Sequence, residues 1–113
     1  MHELSIAQNI LDIAIAAAER EGAQKITRIN IVAGEVRAIV PEQLSFCFEV
    51  IAEGTIASGA ELNLEIVPVK GRCRKCGEVF IVEDFLYICP QCHGGDIEIT
   101  GGTELRIKDI EVD

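Results

Sequence analysis

Residues 70–101 read KGRCRKCGEVFIVEDFLYICPQCHGGDIEITG, and two cysteine pairs organise them: Cys73 with Cys76 and Cys89 with Cys92, twelve residues apart. In a C-x2-C pair the short loop turns back so that both sulfurs point at one centre, and two such pairs supply a tetrahedron of thiolates. That is a complete shell for Zn2+. Gly77 after Cys76 and Pro90 inside the second pair suit tight metal knuckles, where a left-handed residue and a fixed φ are wanted. The apolar content of the stretch (Val79, Phe80, Ile81, Phe85, Tyr87 and Ile88) is too small for an independent core, so a metal is needed to make it fold. The spacing therefore predicts a structural four-cysteine zinc site in a zinc-ribbon-like module. A closed shell leaves no position for a substrate water, which argues against catalysis at this metal. A redox dithiol would open a helix in a βαβ setting, and neither pair does. A rubredoxin-like iron centre uses similar knuckles; colour separates it from Zn2+, which is d10 and colourless.

On either side of this stretch the pattern is that of an α+β body. Residues 4 to about 21 predict a helix with Leu4, Ala7, Ile10, Leu11, Ala14, Ile15 and Ala18 on a wide apolar arc and Gly22 as its stop. Residues 25–33 alternate as a half-buried strand, with Ile29, Ile31 and Ala33 inward and Arg28 and Asn30 outward. A second helix is expected from Pro41 to Glu53, with Leu44, Cys47, Phe48 and Ile51 on one face, so that Cys47 reads as a core residue. Glu61 to Ile66 alternates without error. Its partner lies near the C-terminus at Leu105, Ile107, Ile110 and Val112, where a slip of one in the apolar phase predicts a β-bulge near Lys108 or Asp109. The expected fold is α+β: a small three-stranded sheet with two helices in residues 1–69 and 102–113, interrupted by the zinc module over 70–101.

The chain has 113 residues, enough for one domain and a small satellite. Hydrophobic residues make up 49%, which supports a core. No run of ~18 uncharged apolar residues exists and the chain opens on Met-His-Glu, so neither a membrane span nor a signal peptide is expected and the compartment read from the sequence is the cytoplasm. Five cysteines there are expected to be thiols or metal ligands rather than disulfides. The formal net charge of −9 counts against nucleic acid as main partner. Charge is unevenly divided: Ala38 to Val69 carries five acids and no base, whereas Lys70, Arg72, Arg74 and Lys75 crowd the first knuckle. No nucleophile triad, phosphate loop or acid-base pair is evident, so a binding protein is expected rather than an enzyme.

The chain has only two histidines, His2 and His93. At a free N-terminus the α-amine, the His2 amide nitrogen and its imidazole can grip one metal in fused chelate rings, with Glu3 adding a carboxylate or its own amide nitrogen. Donors in one plane suit Ni(II) or Cu(II) rather than tetrahedral Zn2+. The alternative is a frayed terminus ahead of a helix. His93, beside Cys92, can replace a thiolate on zinc, donate to a sulfur, or lend its ring to nickel; four thiolates already close the zinc site, which favours the outer shell or plain surface.

The opening Met1-His2-Glu3-Leu4-Ser5, the segment Ile31 to Val40 followed by Pro41-Glu42-Gln43-Leu44, the two cysteine pairs and the ending Glu104-Leu105-Arg106-Ile107 resemble the HypA/HybF hydrogenase nickel-incorporation proteins. The resemblance runs nearly end to end and keeps the order and spacing of the motifs. It implies a nickel metallochaperone for [NiFe]-hydrogenase maturation, with Met1, His2 and Glu3 binding Ni(II) and Cys73, Cys76, Cys89 and Cys92 holding structural zinc. It further implies a HypB-type GTPase and the hydrogenase large-subunit precursor as partners; some members also serve urease maturation. The competing reading is a zinc-ribbon adaptor for protein or nucleic acid, with Met-His-Glu incidental.

Overall fold

The computed structural model describes residues 3–113. Among them the chain forms, in order, α1 (Glu3–Arg20), β1 (Ile26–Gly34), α2 (Pro41–Ala52), β2 (Glu61–Val67), β3 (Val69–Cys73), β4 (Val79–Val82), β5 (Ile97–Gly101) and β6 (Leu105–Val112). The chain divides into two compact units. One holds the chain up to Val32, Ile39–Glu65 and Arg106–Asp113; the other holds Ala33–Ala38 and Ile66–Leu105. No helix among the described residues is long and apolar enough to cross a membrane.

In the first unit, α1 buries Ile6, Ala7, Ile10, Leu11, Ala14 and Ala18, the three-and-four spacing of one helical face, and packs against α2. It ends where Gly22 takes φ +70°: the Ala23 N–H donates to the Ala18 carbonyl at 2.9 Å and the Gly22 N–H to Glu19 at 3.1 Å, a Schellman cap. Helix α2 starts on Pro41 and buries Leu44, Phe48 and Ala52 at successive four-residue steps. Four positions expected on the apolar helix faces are not buried: Leu4 is 56% exposed, and Ile15, Cys47 and Ile51 are only half-buried, because each sits at the flank of its helix face rather than its centre.

The first sheet has the order β2-β1-β6. The Arg28 guanidinium donates to Glu61 at 2.9 Å and the Asn63 amide to Asn30 at 3.0 Å, so partners advance together and β1 and β2 run parallel. Thr27 bonds to Glu111 and Asn30 to Asp109, which makes β6 antiparallel to β1. Being central, β1 buries Ile26, Ile29 and Ile31 completely, and Val32 as well. The half-covered positions of β6 are Leu105, Ile107 and Ile110, so burial slips where the apolar pattern does.

The second unit carries a three-stranded antiparallel sheet of order β4-β3-β5 with a register irregularity at Lys70/Gly71. Near it the backbone closes tightly: the Gly34 N–H donates to Glu104 at 2.6 Å and the Val36 N–H to Gly102 at 3.2 Å. Gly102 has φ +85°, and a Cβ there would lie 2.5 Å from the Pro68 carbonyl oxygen and from the Val69 Cα. Because strand backbone cannot yield, Gly102→Ala is expected to destabilise this unit by about 3 kcal/mol, read as lost hydrogen-exchange protection of β3. Protection equal to the parent's would show that the segment relaxes freely.

Candidate metal centre

Strand β3 ends on Cys73 and delivers it into the first knuckle; the second opens at Cys89 after the loop that follows β4. The two turns are built alike. The Gly77 N–H donates to the Cys73 carbonyl at 2.8 Å and the Cys73 N–H to Glu78 at 2.9 Å; the His93 N–H donates to Cys89 at 2.9 Å and the Cys89 N–H to Gly94 at 2.9 Å. Gly77 and His93 therefore hold the same position, four residues after the first cysteine of their pair, and both are left-handed, at φ +82° and +62°. This gives His93 a place that spacing alone did not show. Its side chain is exposed and outside the four-sulfur cluster.

All four Sγ atoms lie within 4.8 Å of one another, with Cys73 to Cys92 at 3.6 Å and Cys76 to Cys89 at 3.5 Å. A tetrahedral metal with bonds of about 2.3 Å to sulfur requires sulfur–sulfur edges of about 3.8 Å, so the arrangement fits one ion with little adjustment. The same separations are far beyond the about 2.05 Å of a disulfide, and all five cysteines are free. Cys73 and Cys89 are buried and Cys76 and Cys92 are exposed, so the cluster sits at the unit's surface.

Backbone dipoles prepare the sulfurs for a cation. The N–H of Cys76, then that of Lys75, point at the Cys73 sulfur and bring its thiol down to about 6 against the opposing effect of burial. Cys92 and Gln91 do the same for Cys89, whose thiol is also lowered; the Cys92 N–H stands 3.4 Å from that sulfur. At Cys76 the Glu78 N–H pulls downward, but hydrogen bonding to Cys89, burial and the other sulfurs outweigh it and push the thiol up to about 12. Crowded sulfurs cannot all be anionic without a cation between them, so a metal entering near pH 7 displaces at least the Cys76 proton. Metal affinity is accordingly expected to fall as pH drops, and proton release in weakly buffered solution measures it. Metal uptake with no proton release would contradict a protonated Cys76.

Two of the four bases around the first knuckle are engaged: Arg72 with Glu98 at 3.1 Å and Arg74 with Asp96 at 2.8 Å. These pairs bind β3 and the first knuckle to β5 and the residue before it. They also make a phosphate-binding role for the basic cluster less economical. Strand β5, which carries Glu98 and directly follows Asp96, was not read from the sequence, although the alternation Ile97-Glu98-Ile99-Thr100 was a signal for it.

Of the expected N-terminal ligands, Met1 and His2 lie outside the described residues. Glu3 opens α1, and its carboxylate accepts the Val40 N–H at 3.4 Å, just before α2 begins. Beside it a shallow groove of about 620 Å³ runs past Leu4, Glu42, Phe46 and Cys47.

An α+β unit accompanied by a knuckle pair that closes four thiols around one point defines a small metal-binding protein. A family model described as hydrogenase/urease nickel incorporation, metallochaperone, hypA matches residues 1–112, and the chain belongs to that family. The chain is 42% identical over 113 residues to a hydrogenase maturation factor HypA of Dehalococcoides mccartyi strain CBDB1, covering all of this chain and 95% of that one. It is 39% identical to the HypA of Geobacter sulfurreducens, with both chains fully covered. Among solved structures it is similar to the Ni metallochaperone HypA from Helicobacter pylori, with TM-score 0.68, 26% identity and 99% and 97% of the two chains covered. A second HypA solution structure gives TM-score 0.71 at 28% identity, covering 99% and 96%. The family is one of metallochaperones and maturation factors rather than enzymes.

Proposed function

We propose that the protein carries Ni(II) at its N-terminus and hands it to the large-subunit precursor of a [NiFe]-hydrogenase, while Cys73, Cys76, Cys89 and Cys92 hold a structural Zn2+. The observation that carries this reading is the family match beginning at residue 1, which takes in Met1-His2-Glu3 together with the cysteine pairs. Nickel is the cargo. The Met1 amine, the His2 amide nitrogen and imidazole, and Glu3 are its ligands; a few donors at a chain end release an ion more readily than a buried cage. A HypB-type GTPase is the proposed upstream partner, the cytoplasm the proposed compartment, and urease maturation a second outlet. The knuckle sulfurs are closed to substrate, so zinc fixes the fold of its module and supplies no step in delivery.

Transfer tests the reading directly. Protein loaded with one equivalent of Ni(II) and mixed with the purified large-subunit precursor is expected to lose nickel to it faster than free Ni(II) at the same total concentration enters. Equal rates would reduce the protein to a nickel buffer. The module's metal is expected to be colourless zinc, one per chain; visible thiolate-to-iron absorption in fresh protein would assign the site to iron instead.

His93 is assigned to the turn rather than to a metal. Glycine relieves its left-handed backbone, so His93→Gly is expected to leave zinc content unchanged and to raise module stability by about 0.5 to 1 kcal/mol. Loss of zinc or of nickel in this variant would return the imidazole to one of the two shells.

A further inference from the structure

Strand β4 lies at the edge of its sheet and pairs with β3 alone, Val69 opposite Val82, Lys70 opposite Ile81, Gly71 opposite Phe80 and Arg72 opposite Val79. Phe80 and Val82 turn toward Gly71, where a Cβ would already meet both side chains, so that face is filled. Val79 and Ile81 turn outward and are 62% and 53% exposed. The strand Val79–Val82 contains no charge and no proline, the usual devices that blunt a sheet edge. Immediately after it the Leu86 N–H donates to Glu83 at 2.9 Å, with Asp84 at φ 52° and Phe85 at φ 58°. Both central residues are left-handed, as in a type I′ turn, a place normally filled by Asn-Gly. The turn leaves Phe85 and Leu86 exposed next to the strand. An adjoining groove of about 640 Å³ is lined by the apolar Pro68, Ile81 and Phe85 together with the acidic Glu35, Glu83 and Asp84.

We propose that the outer edge of β4 and the turn that follows it dock an extended, apolar segment of a partner protein bearing a basic residue at each end. An edge strand offers alternate N–H and C=O groups to an added strand, and the outward Val79 and Ile81 supply the apolar contact. Charge selects the occupant. The strand is bracketed by Glu78 and Glu83. Lys or Arg opposite these two residues on a partner strand would meet a carboxylate each, with Glu35 and Asp84 adding negative charge at the Glu83 end. Lys70 and Arg72 lie on β3, one strand further in, and Arg72 is already engaged by Glu98.

The test uses the full-length, metal-loaded protein and two labelled, end-blocked peptides, KVTVTK and EVTVTE, followed by fluorescence anisotropy. KVTVTK is expected to bind at least about tenfold more tightly, and Glu83→Gln to narrow that preference. Ile81 is half exposed, so Ile81→Lys is expected to abolish binding while four-cysteine metal content and helical signal stay at parent values. Equal affinity for the two peptides, no measurable binding of KVTVTK, or binding that survives Ile81→Lys would each overturn the proposal. So would a dimer that dissociates in Ile81→Lys, since the edge would then belong to a second copy.

Discussion

Replacing Cys73 by Ser, or stripping the metal with a chelator, is expected to unfold β3, β4 and β5 while α1 and α2 remain helical. The expectation follows from what each unit buries. In the first unit Ile6, Ile10, Leu11, Ile26, Ile29, Ile31, Leu44 and Phe48 are buried aliphatic or aromatic side chains on two helices and a central strand. In the second, the fully buried larger side chains are Val69, Val82, Cys73 and Cys89, so two of the four are themselves ligands. A structural zinc site supplies apparent binding free energies of about 10–16 kcal/mol, as large as the whole stability of a typical domain at about 5–15 kcal/mol. Removing it leaves a sheet with almost nothing to bury and four crowded thiols. Circular dichroism should keep its helical bands, and hydrogen exchange should lose protection over residues 69–82 and 97–101 alone. If the helical signal disappears together with the metal, the two units fold as one and the division of labour proposed between them is wrong.

The same difference explains which parts of the fold were legible in the sequence. Helix α1 declared itself because burial against α2 demands an apolar face, and Gly22 marks a stop that only a left-handed residue serves. Strand β2 declared itself because one face is wet: Glu61, Asn63 and Glu65 are exposed while Leu62 and Leu64 are half-covered. The cysteine pairs were legible because metal geometry fixes their spacing regardless of what surrounds them. Strand β4 was not. Val79 and Ile81 face water as Phe80 and Val82 face the sheet's filled side, and an all-apolar run carries no two-residue period. Periodicity also cannot say how far an apolar stripe is covered, which is why Leu4 and Cys47 were expected deeper than they lie. The role of His93 escaped for another reason: only the paired backbone geometry of the two knuckles shows that it holds the position of Gly77.

The proposed N-terminal nickel site rests on ligand chemistry sharpened by family resemblance, and one alteration ahead of Met1 tests it most severely. Extending the chain by a few residues ahead of Met1 converts the α-amine into an amide that binds metal only after losing a far less acidic proton. The free amine, with a reference pKa of about 7.7–8.0, competes with protons near neutrality. His2→Ala removes the imidazole and one of the fused chelate rings. Each change is expected to weaken Ni(II) binding by at least about 100-fold, or about 2.8 kcal/mol. Both changes precede, in the sequence, Ile6 and Ala7, the first residues that α1 buries, so thermal stability is expected to shift by no more than about 0.5 kcal/mol. Zinc content should not respond, because the four sulfurs that would hold it belong to the other unit. The parent's nickel affinity should also fall below neutral pH, as protons reclaim first the amine and then the imidazole. Square-planar Ni(II) on nitrogen donors is low-spin and diamagnetic; a paramagnetic six-coordinate complex would mean that the Glu3 carboxylate, His93 or water completes the shell. The decisive comparison remains the extended chain, in which His2 is still present: if it holds nickel as tightly as the parent, the amine is no ligand, and His93 with the cysteine cluster becomes the place where nickel is carried.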